Sequence, residues 1–165
     1  MKIQIENASV GQKTVLRRLL EFYKYDFSEY DPEDVNEYGE YGYKYLDHYW
    51  TEPERFPFLI KVNEKFAGFA LVRKITHETL HKEYYFSMAE FFIMKKFRKE
   101  GIGKHTAFYL FDLFPGNWEV AEIEENVPAQ TFWRKVISEY TKDNYKEIQR
   151  INWKGPIQIF KTKNK

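Results

Sequence analysis

The chain has no cysteine. Disulfide bonds, thiolate metal sites and cysteine nucleophiles are therefore excluded. No apolar run approaches the roughly 20 residues that cross a bilayer, so no membrane partner is expected. The opening MKIQIENASV carries no apolar core after its lysine, so no secretory signal is expected, and the reading is a soluble, cytoplasmic protein. Internal repeats and low-complexity linkers are missing, and the 165 residues suit one domain, 1–165. A convincing metal-ligand pattern is missing too. His77 and His81 flank Glu78, with Glu83 following, in THETLHKEY. That spacing makes a ligand pair only on a helix, and the stretch reads as a connection between strands. No metal is expected.

Aromatic residues are plentiful instead, at 19% with 13 Tyr and 15 Phe. Such a surplus fits either an aromatic-lined pocket or a bulky core. The net charge of +1 conceals an asymmetry. Eleven acids against two lysines give residues 21–54 a balance of −9, and the rest of the chain +10. The basic excess gathers at 95–104 and in the last 20 or so residues. Opposed fields suit two differently charged ligands, or else two solvated faces.

Patterning predicts the elements. KIQIEN alternates as a half-buried strand, and Val15, Leu16, Leu19, Leu20, Phe22 and Tyr23 mark a helix over about 11–26. Residues 27–54 read as a loop followed by a short helix near 42–50. FPFLIKVNEKFAGFALVRKI reads as a hairpin turning at Asn63–Lys65, with Gly68 packing closely on a neighbour. A strand near 84–94 precedes a helix at about 102–114, and WEVAEIE is a further strand. NVPAQTFWRKVISEYT is a helix with Asn126 as N-cap and Pro128 in its first turn. YKEIQRINW and PIQIFKT close the chain as strands joined through KGP. The order β-α-(α)-β-β-β-α-β-α-β-β predicts a mixed sheet covered by helices.

Between the strand at 84–94 and the helix at 102 stands RKEGIG. A dinucleotide fingerprint requires a third glycine or alanine where Thr106 stands. A P-loop requires Gly where Arg98 stands and Ser or Thr where His105 stands. Arg98-x-x-Gly101-x-Gly103 fits a different chemistry. The unpaired N–H groups and positive dipole end of the following helix make a pyrophosphate site, and glycine lets the backbone approach it.

RKEGIG also matches R/Q-x-x-G-x-G/A, the central motif of the GNAT superfamily of acetyltransferases, which the chain resembles. ENVPAQTFWRKVI resembles that family's N-x-x-A-x-x-F-Y helix through Asn126, Ala129 and Phe132. YGYKYLDHYWTE, FPFLI and FWRKVI are similar to a subgroup of predicted acetyltransferases. The resemblance implies an α/β (α+β) GNAT fold. Its mixed, mostly antiparallel sheet of six to seven strands is flanked by helices, with the fourth and fifth strands splayed. It implies acetyl-CoA as cofactor, its pantetheine arm bonded to the backbone of Phe92, Ile93 and Met94. Its pyrophosphate would take the amides of Arg98, Lys99, Glu100, Gly101, Ile102, Gly103 and Lys104. Asn126 would help hold the pantetheine or cap its helix. Trp133 stands where many members place a tyrosine acid. Its indole N–H can stabilise a departing thiolate but cannot transfer a proton to it.

Glu90 shares a strand face with Phe92 and Met94. Aromatic neighbours should raise its pKa, which suits a general base, although an acid paired with Lys or Arg would look the same. Glu119 and Glu122 are the other candidates. The resemblance places the acceptor pocket in the acidic segment, where tyrosines interleave with carboxylates. Tyr25, Asp26, Tyr30 and Tyr41 are the expected contacts to a cationic amine. The expected activity is direct acetyl transfer from acetyl-CoA to a primary amine, on a small molecule or a protein lysine, by a monomer or homodimer. The alternative is a non-catalytic acyl-CoA-binding module. A nucleic-acid-binding domain is a third class, suggested by KKFRKEGIGKH and KTKNK but opposed by the acidic half.

Overall fold

The amphipathic segments become strands and helices in a computed structural model that describes residues 1–77 and 83–163. In chain order these are β1 (Ile3–Asn7), α1 (Lys13–Phe27), α2 (His48–Thr51), β2 (Arg55–Val62), β3 (Lys65–Thr76) and β4 (Tyr84–Ile93). There follow α3 (Ile102–Leu113), β5 (Asn117–Ala121), α4 (Val127–Thr141), β6 (Tyr145–Arg150) and β7 (Trp153–Lys161). The strands form a seven-stranded sheet in the order β1-β2-β3-β4-β5-β7-β6. β4 runs parallel to β5, in register at Phe86↔Trp118 and Ser87↔Glu119, and continues beyond that register to Ile93. The pairs β1–β2, β5–β7 and β6–β7 are antiparallel. His81 and Glu78 of the histidine-bearing connection lie outside the described residues, as do the last two residues of the basic tail.

The chain packs as two compact units. One joins Met1–Val72 with Glu90–Ile102, and the other joins Arg73–Ala89 with Gly103–Lys165. In the first unit, α1 buries Leu16, Leu19 and Leu20, one stripe at helical spacing. A second cluster joins Ile60, Val62, Ala67, Ile93 and Ile102. The β2–β3 turn is Asn63–Glu64, both at positive φ, which matches the right-handed twist of a two-residue hairpin. At Gly68 a Cβ would stand 2.0 Å from the Phe92 carbonyl oxygen, so glycine lets β3 meet the end of β4 closely. The helix expected near 42–50 is confined to His48–Thr51, and the preceding segment is largely irregular. Both Glu21 carboxyl oxygens accept from its backbone, at Tyr41 N (2.9 Å) and Gly42 N (2.7 Å).

In the second unit, Phe111, Trp118 and Phe160 form the aromatic centre, with Phe111 4.9 Å from each of the other rings. Much of the aromatic surplus is thus bulky core. Asn126 caps α4, its Oδ1 accepting from Ala129 N at 3.1 Å, with Pro128 in the first turn. The last hairpin turns at Ile151–Asn152, earlier than KGP, which lies inside β7. Gly155 is needed there for another reason: a Cβ would stand 2.1 Å from the Glu122 carbonyl oxygen.

Glu122 itself is buried, and neither of its carboxyl oxygens has a hydrogen-bond partner. Beside it, Gln158 gives Nε2 to Glu147 at 3.0 Å and leaves Oε1 without a donor. Glu147 accepts both arms of the Arg134 guanidinium, at 2.7 and 2.8 Å, which hold it below the usual carboxylate range. Loss of water pushes the Glu122 carboxyl up to about 8. At neutral pH it is therefore a carboxylic acid, with a proton to offer the unserved oxygen of Gln158.

Two stability predictions arise from this packing. Gly68→Ala forces the backbone of Phe92–Ile93 aside and should cost about 1–3 kcal/mol in chemical denaturation. Gly11→Ala, whose Cβ would meet nothing nearer than 3.7 Å, serves as control. An unchanged midpoint for Gly68→Ala would show that β3 and β4 can separate freely. The second concerns Glu122, which holds its proton more tightly folded than unfolded, where its pKa is about 4.3. The associated stability is complete below that value and is lost as pH rises through about 8. Glu122→Gln should therefore raise Tm over the native chain by a margin that grows from pH 5 to pH 8 and then levels. A margin independent of pH would show that Glu122 is ionised throughout.

Candidate active site

Two constellations could carry chemistry. The first is the loop that leads into α3. After β4 the chain makes a 3-10 turn at Lys95–Phe97 and crosses Arg98–Gly101 before the helix begins at Ile102. Gly101 has φ +79, and the space a Cβ would occupy is empty within 4 Å. Lys99 is also at positive φ. The first four N–H groups of a helix have no partner within it, here those of Ile102, Gly103, Lys104 and His105. Donors at a dipole's positive end, beside a backbone with no side chain in the way, suit a pyrophosphate.

The positive side chains of this loop are largely engaged. Arg98 folds back, Nε donating to Ile93 O at 2.7 Å and Nη2 to Asp26 Oδ2 at 2.5 Å. Its guanidinium lies 5.7 Å from the Phe92 ring centroid. Lys95 also meets Asp26, at 3.3 Å, and Lys104 meets Glu139 at 2.9 Å. Two of the amides in the expected cofactor set are taken as well. Met94 N donates to Ala67 O at 2.8 Å and Arg98 N to Lys95 O at 3.2 Å. Donors for an anion are thus concentrated between Lys99 and Lys104, and the Arg98 side chain acts as a latch for the loop. Asn126 Oδ1 is committed to capping α4.

The second constellation surrounds Glu90, a partly buried residue of β4. Tyr23 OH donates to Oε2 at 2.5 Å and Tyr43 OH to Oε1 at 3.2 Å. Loss of water raises the Glu90 pKa above its ordinary value, against the opposing effects of the two tyrosine bonds and the Lys24 charge. The same burial, with the Glu90 charge beside them, raises both phenols, which therefore remain protonated donors. Tyr23 is held by rings, with Phe27 and Phe69 at 5.7 Å and Phe92 at 5.8 Å. The partners expected of a structural acid, Lys or Arg, are replaced here by two phenols.

The other expected site residues are more dispersed. Tyr25 is 72% exposed, Asp26 is the partner of Arg98 and Lys95, and Tyr30 packs on Phe27 with centroids 6.0 Å apart. Tyr41 is fixed through its backbone to Glu21. Tyr23 and Tyr43, which touch Glu90, stand outside that set. Tyr23 reads as core in the α1 stripe, and Tyr43 is one of three alternate tyrosines in YGYKY, whose irregular path hides which one turns inward. Much of the acidic field is neutralised locally. Asp26, Glu33, Glu40, Asp47 and Glu52 all sit in ion pairs. Glu119 is bonded to both arms of Arg150. Trp133 is buried on α4, its ring 5.0 Å from Phe132 and 6.5 Å from Phe111. Among the described residues no group of three His, Cys, Asp or Glu could hold a metal ion, and no helix is long and apolar enough to cross a membrane.

Solved structures with the same fold are numerous. The chain is similar to a GNAT-family acetyltransferase from Streptococcus agalactiae 2603, at 16% identity over 99% of this chain and 96% of that one, with TM-score 0.71. It is similar to the PaiA N-acetyltransferase from Thermoplasma acidophilum in complex with coenzyme A, at 12% identity over 98% and 99% of the two chains, TM-score 0.65. An aminoglycoside acetyltransferase from an uncultured soil metagenomic sample, in complex with sisomicin, is 14% identical over 92% and 93%, TM-score 0.63. Identities this low speak for the fold alone. No curated protein matches. The sequence profile of the Acetyltransferase (GNAT) family matches residues 17–137. That span takes in the glycine loop and most of the helix capped by Asn126, and the chain therefore belongs to the GNAT acetyltransferase family, which uses acetyl-CoA.

Proposed function

We propose that the chain, residues 1–165 acting as one acetyltransferase domain, transfers an acetyl group directly to a primary amine. The acceptor is a cationic small molecule or a lysine side chain. The observation that carries this reading is the Glu90 carboxylate: partly buried, raised in pKa, and oriented by two protonated phenols. An amine arrives protonated and is not nucleophilic in that form. A carboxylate whose proton affinity is raised by burial can take the proton, R–NH3+ and COO− giving R–NH2 and COOH.

Acetyl-CoA, when bound, supplies the acetyl group as an activated thioester. The amides from Lys99 to Lys104 would hold its phosphates, and Arg98 keeps that loop against Asp26 and the end of β4. The backbone from Phe92 to Met94 is the stretch assigned to the pantetheine arm. Trp133 offers at most an indole N–H to the leaving sulfur. A thiol of pKa about 8.5 leaves near neutral pH without a dedicated acid, which removes the need for tyrosine at that position.

Calorimetric titration should show micromolar binding of acetyl-CoA, weakened at least about tenfold by Gly101→Pro, because proline cannot adopt the positive φ of Gly101. Equal affinities would remove the loop from the cofactor site. Thiol release should then be measured with a polyamine, an aminoglycoside, a basic amino acid and a lysine peptide. Turnover of one of them should fall by about 10²–10⁴ in Glu90→Gln while acetyl-CoA affinity is unchanged. Cofactor binding without turnover of any amine would favour the acyl-CoA-binding module, and full activity of Glu90→Gln would sink the assignment of the base.

A further inference from the structure

The two tyrosine bonds to Glu90 are unequal. Tyr23 OH meets Oε2 at 2.5 Å, the short end of the range for a hydroxyl on a charged oxygen. Tyr43 OH meets Oε1 at 3.2 Å, beyond the usual span for O–H···O. Their settings differ in the same sense. Tyr23 stands on a regular helix with three rings around it, at Phe27, Phe69 and Phe92. Tyr43 belongs to the irregular stretch before α2.

A second observation concerns what lies behind Tyr43. The Tyr49 hydroxyl is buried and stands within reach of both Tyr43 and Arg55. The Arg55 guanidinium lies 5.4 Å from the Tyr49 ring centroid. Tyr43 therefore faces two acceptors, Oε1 of Glu90 and the oxygen of Tyr49, and has one proton to give. A turn of its hydroxyl toward the Tyr49 oxygen releases Oε1.

Resting on the assignment of Glu90 as the base, we infer that Oε1 is the oxygen that takes the acceptor's proton. Tyr23 is the positioning residue that holds Oε2, and Tyr43 is a displaceable donor with Tyr49 as its alternative partner. In the step, one N–H bond of the ammonium breaks and one O–H bond forms at Oε1. The nitrogen keeps the electron pair, and no further reactant is required. The groups facing the carboxylate are Tyr23 and Lys24 from α1 and Tyr43 from the irregular segment, with Tyr49 of α2 behind it. Lys24 is engaged with Glu33 at 2.6 Å.

The test does not need the natural acceptor. In protein labelled with carbon-13 at the glutamate carboxyl, the Glu90 signal is identified by its absence from Glu90→Gln, and its titration is followed in three phenylalanine variants. Tyr23→Phe removes a hydrogen bond to the charged form, so it should raise the Glu90 midpoint by about one pH unit or more. Tyr43→Phe should raise it by less than half as much, and Tyr49→Phe should leave it in place. With an amine that is turned over, the acid limb of kcat/KM should move by the same amounts. Equal midpoint shifts for Tyr23→Phe and Tyr43→Phe, or a larger one for Tyr43→Phe, would overturn the inference. Full activity of Glu90→Gln would defeat the proposed base, whereas the order of midpoints tests the asymmetry of the two bonds in its own right.

Discussion

A carboxylate drawn out of water must find donors, and around Glu90 that requirement organises the first unit. β4 brings the acid, α1 brings Tyr23, and the irregular segment brings Tyr43. The segment between α1 and α2 has little regular hydrogen bonding of its own, and its path is set by side chains of its neighbours. Glu21 takes the amides of Tyr41 and Gly42, and Glu90 takes the hydroxyl of Tyr43 immediately afterwards. Burying the acid thus positions both Glu90 and the segment that surrounds it.

Arg98 extends the same logic to the glycine loop. In a motif read for its charge, the side chain turns away to join the last carbonyl of β4 with Asp26 near the end of α1. The donors that remain for an anion are backbone amides, fixed in direction by the start of α3, and they need no side chain to reach for phosphate. Asp26, part of the acidic field that resembles an amine site, is at the same time the counter-ion of this latch. Much of that field is similarly engaged: with Lys24, Arg17, Lys13 and Arg55, its carboxylates brace the segment that carries them. Their long-range pull on a cationic acceptor is accordingly weaker than the formal charge of 21–54 suggests.

Periodicity and turn chemistry made most of the elements legible. The α1 stripe, the Asn63–Glu64 turn, the Asn126 cap and the close approach at Gly68 each depend on residues within a few positions of one another, or on a glycine that no other residue can replace. RKEGIG and the Asn126 helix were legible as family motifs for the same reason, since the chemistry of a helix start is local. Departures occurred where a local signal had a distant cause. Gly155 in KGP reads as a turn residue, yet it is glycine because Glu122, 33 positions earlier, passes against it. The short helix near 42–50 shrank because Glu21 and Glu90 hold the approaching chain in another path.

By itself, then, the sequence determined the order of strands and helices and membership of an acetyl-CoA-using family, both of which are written in short-range patterns. Only the tertiary structure decided which of 13 tyrosines serve Glu90, that Arg98 latches the loop through its side chain, and that Glu122 is a buried acid among Gln158, Glu147 and Arg134. Those are contacts between residues tens of positions apart. A hydroxyl, a guanidinium or a carboxyl has the same local pattern whichever partner it finds, and the partner sets its proton affinity and its role.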